Sequence, residues 1–215
     1  ARSPRLGDEM ADSFVHLHVH SEYSMLDGAA RVKPLIDAAV EQGMPAVAVT
    51  DHGNMFGAFD FWRTAIDAGI KPIIGTEAYL TPGTHRTDKT RIRWGDGGGD
   101  DVSGSGAYTH MTLLAATTEG MHNLFRMSSL ASIEGYYFKP RMDRELLSQY
   151  AKGIIATTGC PSGEVQTRLR LGQYEEAKKA AAEFRDIFGK ENFYAEIMDH
   201  GLGIERRIMS DLIRL

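Results

Sequence analysis

From Phe14 onward, short apolar or β-branched runs of strand length alternate with longer stretches of helical periodicity, and this alternation restricts the fold more than any other feature. The strand candidates are FVHLHV, AVAVT, KPIIGTEAYL, HMTLLAA, GIIATT and FYAEIM. Between them lie amphipathic stretches such as VKPLIDAAVEQG, FGAFDFWRTAIDAG and QYEEAKKAAAEFRDIFG, which close at Gly43, Gly69 and Gly189, the residue type that stops helices. Such alternation implies an α/β fold with a parallel sheet, either open and doubly wound or closed as a barrel. At about 150 residues per domain, a chain of 215 residues holds one sizeable core. We expect residues 1–12 to be a polar tail, with Met10 a candidate natural start, and residues 13–215 to form one domain.

The composition removes several classes of function. Lys plus Arg number 24 against 29 Asp plus Glu, a net charge of −5, which is not the footprint of a protein that coats nucleic acid nonspecifically. A local basic patch is still allowed. One cysteine excludes an intrachain disulfide framework, no run approaches the ~18 apolar residues of a membrane span, and the first residues lack the apolar stretch of a secretory signal. A cytoplasmic setting without membrane contact is the expectation.

His16, His18 and His20 form H-x-H-x-H inside the first strand candidate. Side chains alternate along a strand, so all three rings are expected on one face, where clustered imidazoles are a natural start for zinc or a similar ion. The competing reading is a histidine-rich edge facing solvent. Asp27 lies in the loop that follows, where Asp-Gly is also an ordinary turn signal. His52 follows AVAV, Glu77 falls near the end of KPIIGTEAYL, and Cys160 follows GIIA. Sites of parallel α/β sheets assemble outside the carboxyl ends of the strands, and four metal-capable side chains at such positions are hard to ascribe to packing. His110 does not obey this rule, because it precedes its apolar run. His85 and His122 read as non-ligands, and His200 falls at a strand end.

Two segments break the rhythm. Residues 81–108 are rich in Gly, Asp and Ser and longer than ordinary connections. Residues 135–143, GYYFKPRMD, gather aromatic and basic side chains around a proline. Arg86, Lys89, Arg91, Arg93 and Trp94 in the first, with Tyr136, Tyr137, Lys139 and Arg141 in the second, offer charge and stacking planes suited to a single-stranded end. The alternative is that these are solvated charges beside Asp96, Asp100 and Asp101.

The runs FVHLHVHSEYSMLDGA, MPAVAVTDHGNMFGAFDFW, GIKPIIGTEAYL, HMTLLA, GYYFKPRMD and GIIATTGCPSGEVQ resemble the polymerase and histidinol phosphatase (PHP) domain at the front of the bacterial replicative DNA polymerase III alpha subunit, a C-family DNA polymerase. The resemblance extends from Phe14 to nearly the end. It implies a distorted TIM-like barrel of seven strand-helix units with three divalent metal ions, zinc as the expected ion and manganese the other, at the strand ends. Its ligands would be His18, His20, Asp27, His52, Glu77, His110 and Cys160, with His20, Asp27 and Glu77 also catalytic. His16 would then support a ligand from behind. In that family a late Asp-x-His motif on a further strand completes the cluster, and a barrel of this type needs about 250 residues. The expectation is therefore a barrel truncated before its last strand.

The implied chemistry is hydrolysis of a terminal phosphodiester, a 3′ to 5′ exonuclease that proofreads the primer 3′ end, inside a polymerase whose other domains and replisome subunits are the partners. Arg91, Arg93, Trp94, Tyr137, Lys139 and Arg141 would contact DNA. Two competing readings are a small-molecule phosphatase of the histidinol-phosphate kind and a non-catalytic, metal-stabilised scaffold of the polymerase.

Overall fold

The structure is a computed structural model that describes residues 14–215. The tail expected over residues 1–12 lies outside the described residues. In chain order the elements are α1 (Val32–Glu41), β1 (Ala46–Val49), α2 (Ala58–Asp67), β2 (Lys71–Leu80), the short turn α3 (Ser103–Gly106), β3 (Thr109–Ala115), α4 (Thr118–Ile133), β4 (Arg141–Met142), α5 (Arg144–Tyr150), β5 (Ile154–Thr157), α6 (Glu164–Arg170), α7 (Tyr174–Phe188), β6 (Phe193–Tyr194) and α8 (Gly203–Arg214). The helix stops foreseen at Gly43, Gly69 and Gly189 stand at the ends of α1, α2 and α7, all with positive φ. No helix among the described residues is long and apolar enough to cross a membrane.

Six strands form one sheet in the order β1-β2-β3-β5-β6, with β4 paired beside β2. Two apolar layers hold it. Val32, Ile36 and Ala39 of α1 and Ala58, Phe61 and Ala65 of α2 recur at helical spacing and bury against Val47 and Val49 of β1. The larger core packs β2, β3 and β5 against α4 to α8 through Leu80, Met111, Leu113, Leu124, Leu146 and Phe184. All four residues of β1 are buried, which is why AVAV reads as an unbroken apolar run.

Three expectations need correction. First, the sheet is not closed into a barrel. The backbones of residues 14–18 and of the segment after β6 do not pair; apart from the His18–Glu196 side-chain bond (2.6 Å), a cleft of about 1030 Å³ lies between them, walled by Phe14, His16, Tyr194 and Ile197. β6 spans only Phe193–Tyr194, too short to carry a closing ladder. Second, the sheet is mixed: β1 and β2 run parallel, as do β2 and β4 and β5 and β6, but β3 is antiparallel to both β2 and β5.

Third, FVHLHV is extended but not a regular strand. It touches β1 through Ala48 N–H donating to the His16 carbonyl (3.0 Å) and Thr50 N–H donating to that of Val19 (2.8 Å). Three residue steps on one side therefore face two on the other, a bulge-like mismatch that breaks the alternation between His16 and His18. His16 is consequently exposed, with its ring packed edge-on against Phe14 at 4.9 Å. It makes no side-chain hydrogen bond among the described residues, so the supporting role expected of it is not filled by His16.

Helix α4 crosses β5 very closely at its first turn. Thr117 caps the helix by accepting from Gly120 N–H at 3.0 Å, and a Cβ on Gly120 would lie 1.8 Å from the Gly153 carbonyl oxygen. Alanine ordinarily stabilises a helix interior relative to glycine, by about 1 kcal/mol. Here Gly120→Ala is expected to act in the opposite direction, lowering stability by about 1–3 kcal/mol through overpacking. Urea unfolding followed by circular dichroism checks the sign.

Candidate metal centre

β2 is the longest strand, and it changes partners midway. Lys71 to Ile74 pair with β1, whereas Gly75 to Leu80 pair with β3. Glu77 lies just past the switch, on the open side of the end of β1. The loop leaving β1 is pinned there, because Glu77 N–H reaches the Thr50 and Asp51 carbonyls (3.2 and 3.1 Å) and Gly53 N–H donates to the Glu77 carbonyl (2.9 Å). That pinning brings His52 beside Glu77.

The antiparallel course of β3 resolves the position of His110. Since β3 runs opposite to its neighbours, its first residues lie at the edge where theirs end, and His110 stands opposite Tyr79 in the register. Cys160 arrives from the turn after β5. Asp27 is delivered by the loop that follows the single turn Glu22–Ser24. This loop is fastened by Asp51, which accepts from Ser21 N–H (2.7 Å), Ser21 Oγ (2.8 Å) and Ser24 Oγ (2.8 Å). The loop can turn back at residue 28 only because Gly28 has no Cβ, which would sit 1.8 Å from the Ser21 carbonyl oxygen.

All seven side chains expected as ligands form one cluster around the Glu77 carboxylate, which is 1% exposed. Oε2 of Glu77 lies 2.6 Å from His20 Nε2, 3.1 Å from His18 Nε2 and 3.1 Å from His52 Nδ1. Oε1 lies 2.6 Å from His110 Nδ1 and 3.1 Å from Cys160 Sγ. Asp27 Oδ2 lies 2.7 Å from His52 Nε2 and 3.5 Å from His20 Nδ1, with half of its side chain open to solvent.

Three overlapping sets converge closely enough to hold an ion each: His18, His20 and Glu77; His20, Asp27 and His52; His52, Glu77 and His110. Within them, His20 Nε2, His52 Nδ1 and Glu77 Oε2 are buried and crowd one another at 2.6–3.1 Å without an aligned hydrogen bond. Three orphaned donor atoms facing one another are costly in a protein interior unless something binds between them. Imidazole nitrogens, carboxylate oxygens and a thiol are the donor set of zinc-type ions. The residues present therefore fit a metal centre.

The electrostatics agree. Burial would raise the Glu77 carboxyl, yet the close approach of His110, His18 and His20 holds it far below the usual carboxylate range. Burial opposes protonation of His18, but Glu196 and Glu77 push it up to about 10. Burial lowers His52 and raises the Cys160 thiol. The carboxylates of this pocket thus favour positive charge within it.

Sequence reasoning passed over two acids. Asp51 fastens the Asp27 loop, and its only signal was adjacency to His52. Glu196 bonds His18 Nδ1 at 2.6 Å; it lies inside the strand candidate FYAEIM, but the strand ends at Tyr194, so only the observed end of β6 puts it at a strand end. His85 faces Asp143 and Glu145 (both 3.7 Å), and His200 bonds Glu205 (2.7 Å); neither belongs to a donor set.

The basic and aromatic residues divide. Arg141 must be withdrawn from the nucleic-acid set: it is 0% exposed, and its guanidinium donates to the carbonyls of Gly135, Ala107, Arg86 and Asp88 at 2.8–3.2 Å. Arg86 is tied to Glu134 (2.6 Å) and Asp143 (3.1 Å). One face of Trp94 is covered by the Arg168 guanidinium, 3.8 Å from the ring centre. Arg91 and Arg93 are exposed, and Arg91 Nε donates to Tyr137 Oη at 3.3 Å. Lys139 Nζ stands 5.3 Å over the Tyr79 ring, which itself stacks on His52, so Lys139 borders the metal centre.

These features define a class before any particular protein: an α/β scaffold presenting, at its strand ends, a histidine-carboxylate cluster that could hold metal ions. The chain belongs to the PHP domain family, whose model matches residues 16–200. It is 61% identical over 95% of its length to the DNA polymerase III subunit alpha of Saccharopolyspora erythraea and 58% identical over 97% to that of Mycobacterium tuberculosis. To the same subunit of Deinococcus radiodurans it is 46% identical over 90%. The chain spans 18%, 18% and 14% of those relatives' lengths.

Burial of Arg141 yields a direct expectation. Arg141→Met removes a charged donor from four carbonyls at once and should cost about 3 kcal/mol or more of stability. At temperatures where the variant is folded, affinity for DNA should be unchanged. Denaturant unfolding and fluorescence anisotropy with a labelled oligonucleotide measure the two effects.

Proposed function

We propose that this chain hydrolyses phosphate esters at a three-ion centre, and that its substrate is the primer 3′ end of a replicative polymerase, with 3′ to 5′ exonuclease removal of the terminal nucleotide. The observation that carries this reading is the convergence of His18, His20, His52, His110 and Cys160 on the buried Glu77 carboxylate, with Asp27 joined to the cluster through His52 and His20. The three overlapping donor sets support three ions, held through shared His20, His52 and Glu77, with zinc favoured by the histidine and thiol donors and manganese the alternative.

Divalent ions bound there would lower the pKa of a water and neutralise charge on a phosphate. The chain's own part is positional. Glu77 keeps its negative charge at the centre of the cluster, and Asp27, half exposed, stands at the mouth, where substrate enters. Lys139 at the rim, with Arg91 and Arg93 on the neighbouring segment, supplies charge for phosphates, and exposed Tyr136 and Phe138 supply stacking planes. Phe138 holds a positive φ of 61°, a conformation kept where a side chain is deliberately displayed. Cys160 serves as a ligand: its thiol is raised by burial and adjoins Glu77, the wrong surroundings for an attacking thiolate. The partners under this reading are DNA, the remaining domains of a polymerase alpha subunit and replisome subunits. The 58–61% identity to named alpha subunits supports them over a free small-molecule phosphatase.

His20→Ala and Asp27→Asn, made in the protein at full natural length, should abolish release of mismatched 3′ nucleotides and reduce bound metal. A chelator should abolish the wild-type activity. Persistence of wild-type exonuclease rates in either variant would refute the assignment, and bound metal without hydrolysis would favour the scaffold reading.

Substrate contact is tested by point variants, because Arg86 ties residues 84–106 to Glu134 and Asp143 and the Arg86 and Asp88 carbonyls satisfy buried Arg141, so deleting the segment would disrupt the fold. Arg91→Ala, Arg93→Ala and Lys139→Ala should each weaken primer binding severalfold and flatten its salt dependence, while hydrolysis of bis-p-nitrophenyl phosphate changes little. Equal losses on both substrates would show that these side chains shape the metal centre itself.

A further inference from the structure

We propose that Glu196 is a positioning residue that fixes the ring of His18 for metal binding. The inference rests on the reading of His18 as a ligand. A histidine can ligate through one nitrogen only while the other holds the proton, and which nitrogen does so is set by the partner of the second. Glu196 Oε1 lies 2.6 Å from His18 Nδ1, a bond in which the imidazole donates. With the proton held on Nδ1, the lone pair of His18 is on Nε2. That nitrogen is 3.1 Å from Glu77 Oε2, the same oxygen that His20 and His52 approach.

Glu196 is itself held from three sides. Its Oε2 accepts from Thr112 Oγ1 at 3.1 Å and from Thr157 Oγ1, and its backbone N–H donates to Thr158 Oγ1 at 3.0 Å. Thr112 is on β3 and Thr157 on β5, two paired strands of the sheet, so the carboxylate is referenced to the rigid part of the fold. The Thr112 hydroxyl also lies 3.1 Å from His18 Nδ1; with its hydrogen given to Glu196 it can only share the ring hydrogen as a second acceptor, and Glu196, charged and 0.5 Å nearer, is the principal one. Glu196 belongs to none of the three donor sets and touches neither Asp27 nor His52. Its place is behind the ligand, where an ionised carboxylate also makes the imidazole a stronger base toward a cation. This is the supporting role that the H-x-H-x-H pattern suggested for His16.

The test is a double-mutant cycle read on metal affinity in the full-length protein, using zinc competition against a chromophoric chelator. Glu196→Ala should weaken the ion that depends on His18 by about 10–100-fold, the range typical of removing such a partner. Glu196→Gln preserves shape and can still accept from Nδ1–H, so a smaller loss is expected, and it serves if the alanine variant folds poorly. In a His18→Ala background, Glu196→Ala should add no further loss. In the zinc-loaded wild type, imidazole ¹⁵N spectra should place the His18 proton on Nδ1, and this assignment should be lost in Glu196→Ala.

Undiminished zinc affinity in Glu196→Ala, with His18→Ala weakened, overturns the role of Glu196 and leaves the metal centre intact. Equal losses in both backgrounds overturn it as well, since they describe an acid that merely holds β6 to the sheet. If His18→Ala itself binds zinc as tightly as wild type, His18 is no ligand and both readings fall.

Discussion

A single buried carboxylate organises this molecule. Glu77 stands 1% exposed in the longest strand, at the point where the sheet exchanges one neighbour for another. A carboxylate in such a place is strongly destabilising unless its charge is answered. Here four imidazoles and a thiol answer it, brought by four segments of the chain. The pairing pattern of the sheet can be read as the means of delivering those groups. β1 stops early so that its exit loop can fold over Glu77, β3 runs backwards so that its first residues arrive at the shared edge, and β5 ends in the turn that presents Cys160.

The same charge explains why the site does not relax into an ordinary hydrogen-bonded cluster. Five donors converge on two oxygens, more than their lone pairs can serve with good geometry. The result is the orphaned set of His20 Nε2, His52 Nδ1 and Glu77 Oε2. A cation between them resolves the frustration by accepting lone pairs from all three at once. Around this centre, Asp51 and Glu196 act on the ligands' supports, one by fastening a loop through two serines and the other by bonding a ring.

Arginines in this fold serve two purposes that look alike in sequence. Arg141 is enclosed by four carbonyls drawn from three separate stretches of chain, so it knits the long 81–108 segment to β4. Arg86 does similar work through Glu134 and Asp143. Arg91 and Arg93, close by in sequence, remain at the surface. Nothing in GYYFKPRMD or RIRW marks which arginine is framework and which is free, because the deciding partners are backbone carbonyls, which every residue possesses.

The sequence by itself determined the alternation of elements, the helix stops at Gly43, Gly69 and Gly189, and five of the strands, because apolar periodicity and glycine conformation are local properties. It also marked the metal-capable residues at strand ends, since the types that bind metals are few. His110 needed the tertiary structure: only the reversed direction of β3 explains how a residue before its apolar run reaches the Glu77 cluster, and strand direction is set by long-range pairing. His16 fell out of the cluster because of a one-residue mismatch against β1, invisible in a pattern that reads as perfect alternation. The open sheet, the burial of Arg141 and the bond from His18 to Glu196, 178 positions away, were likewise decided by contacts between distant segments. Local chemistry names the groups that can act, and only packing decides which of them meet.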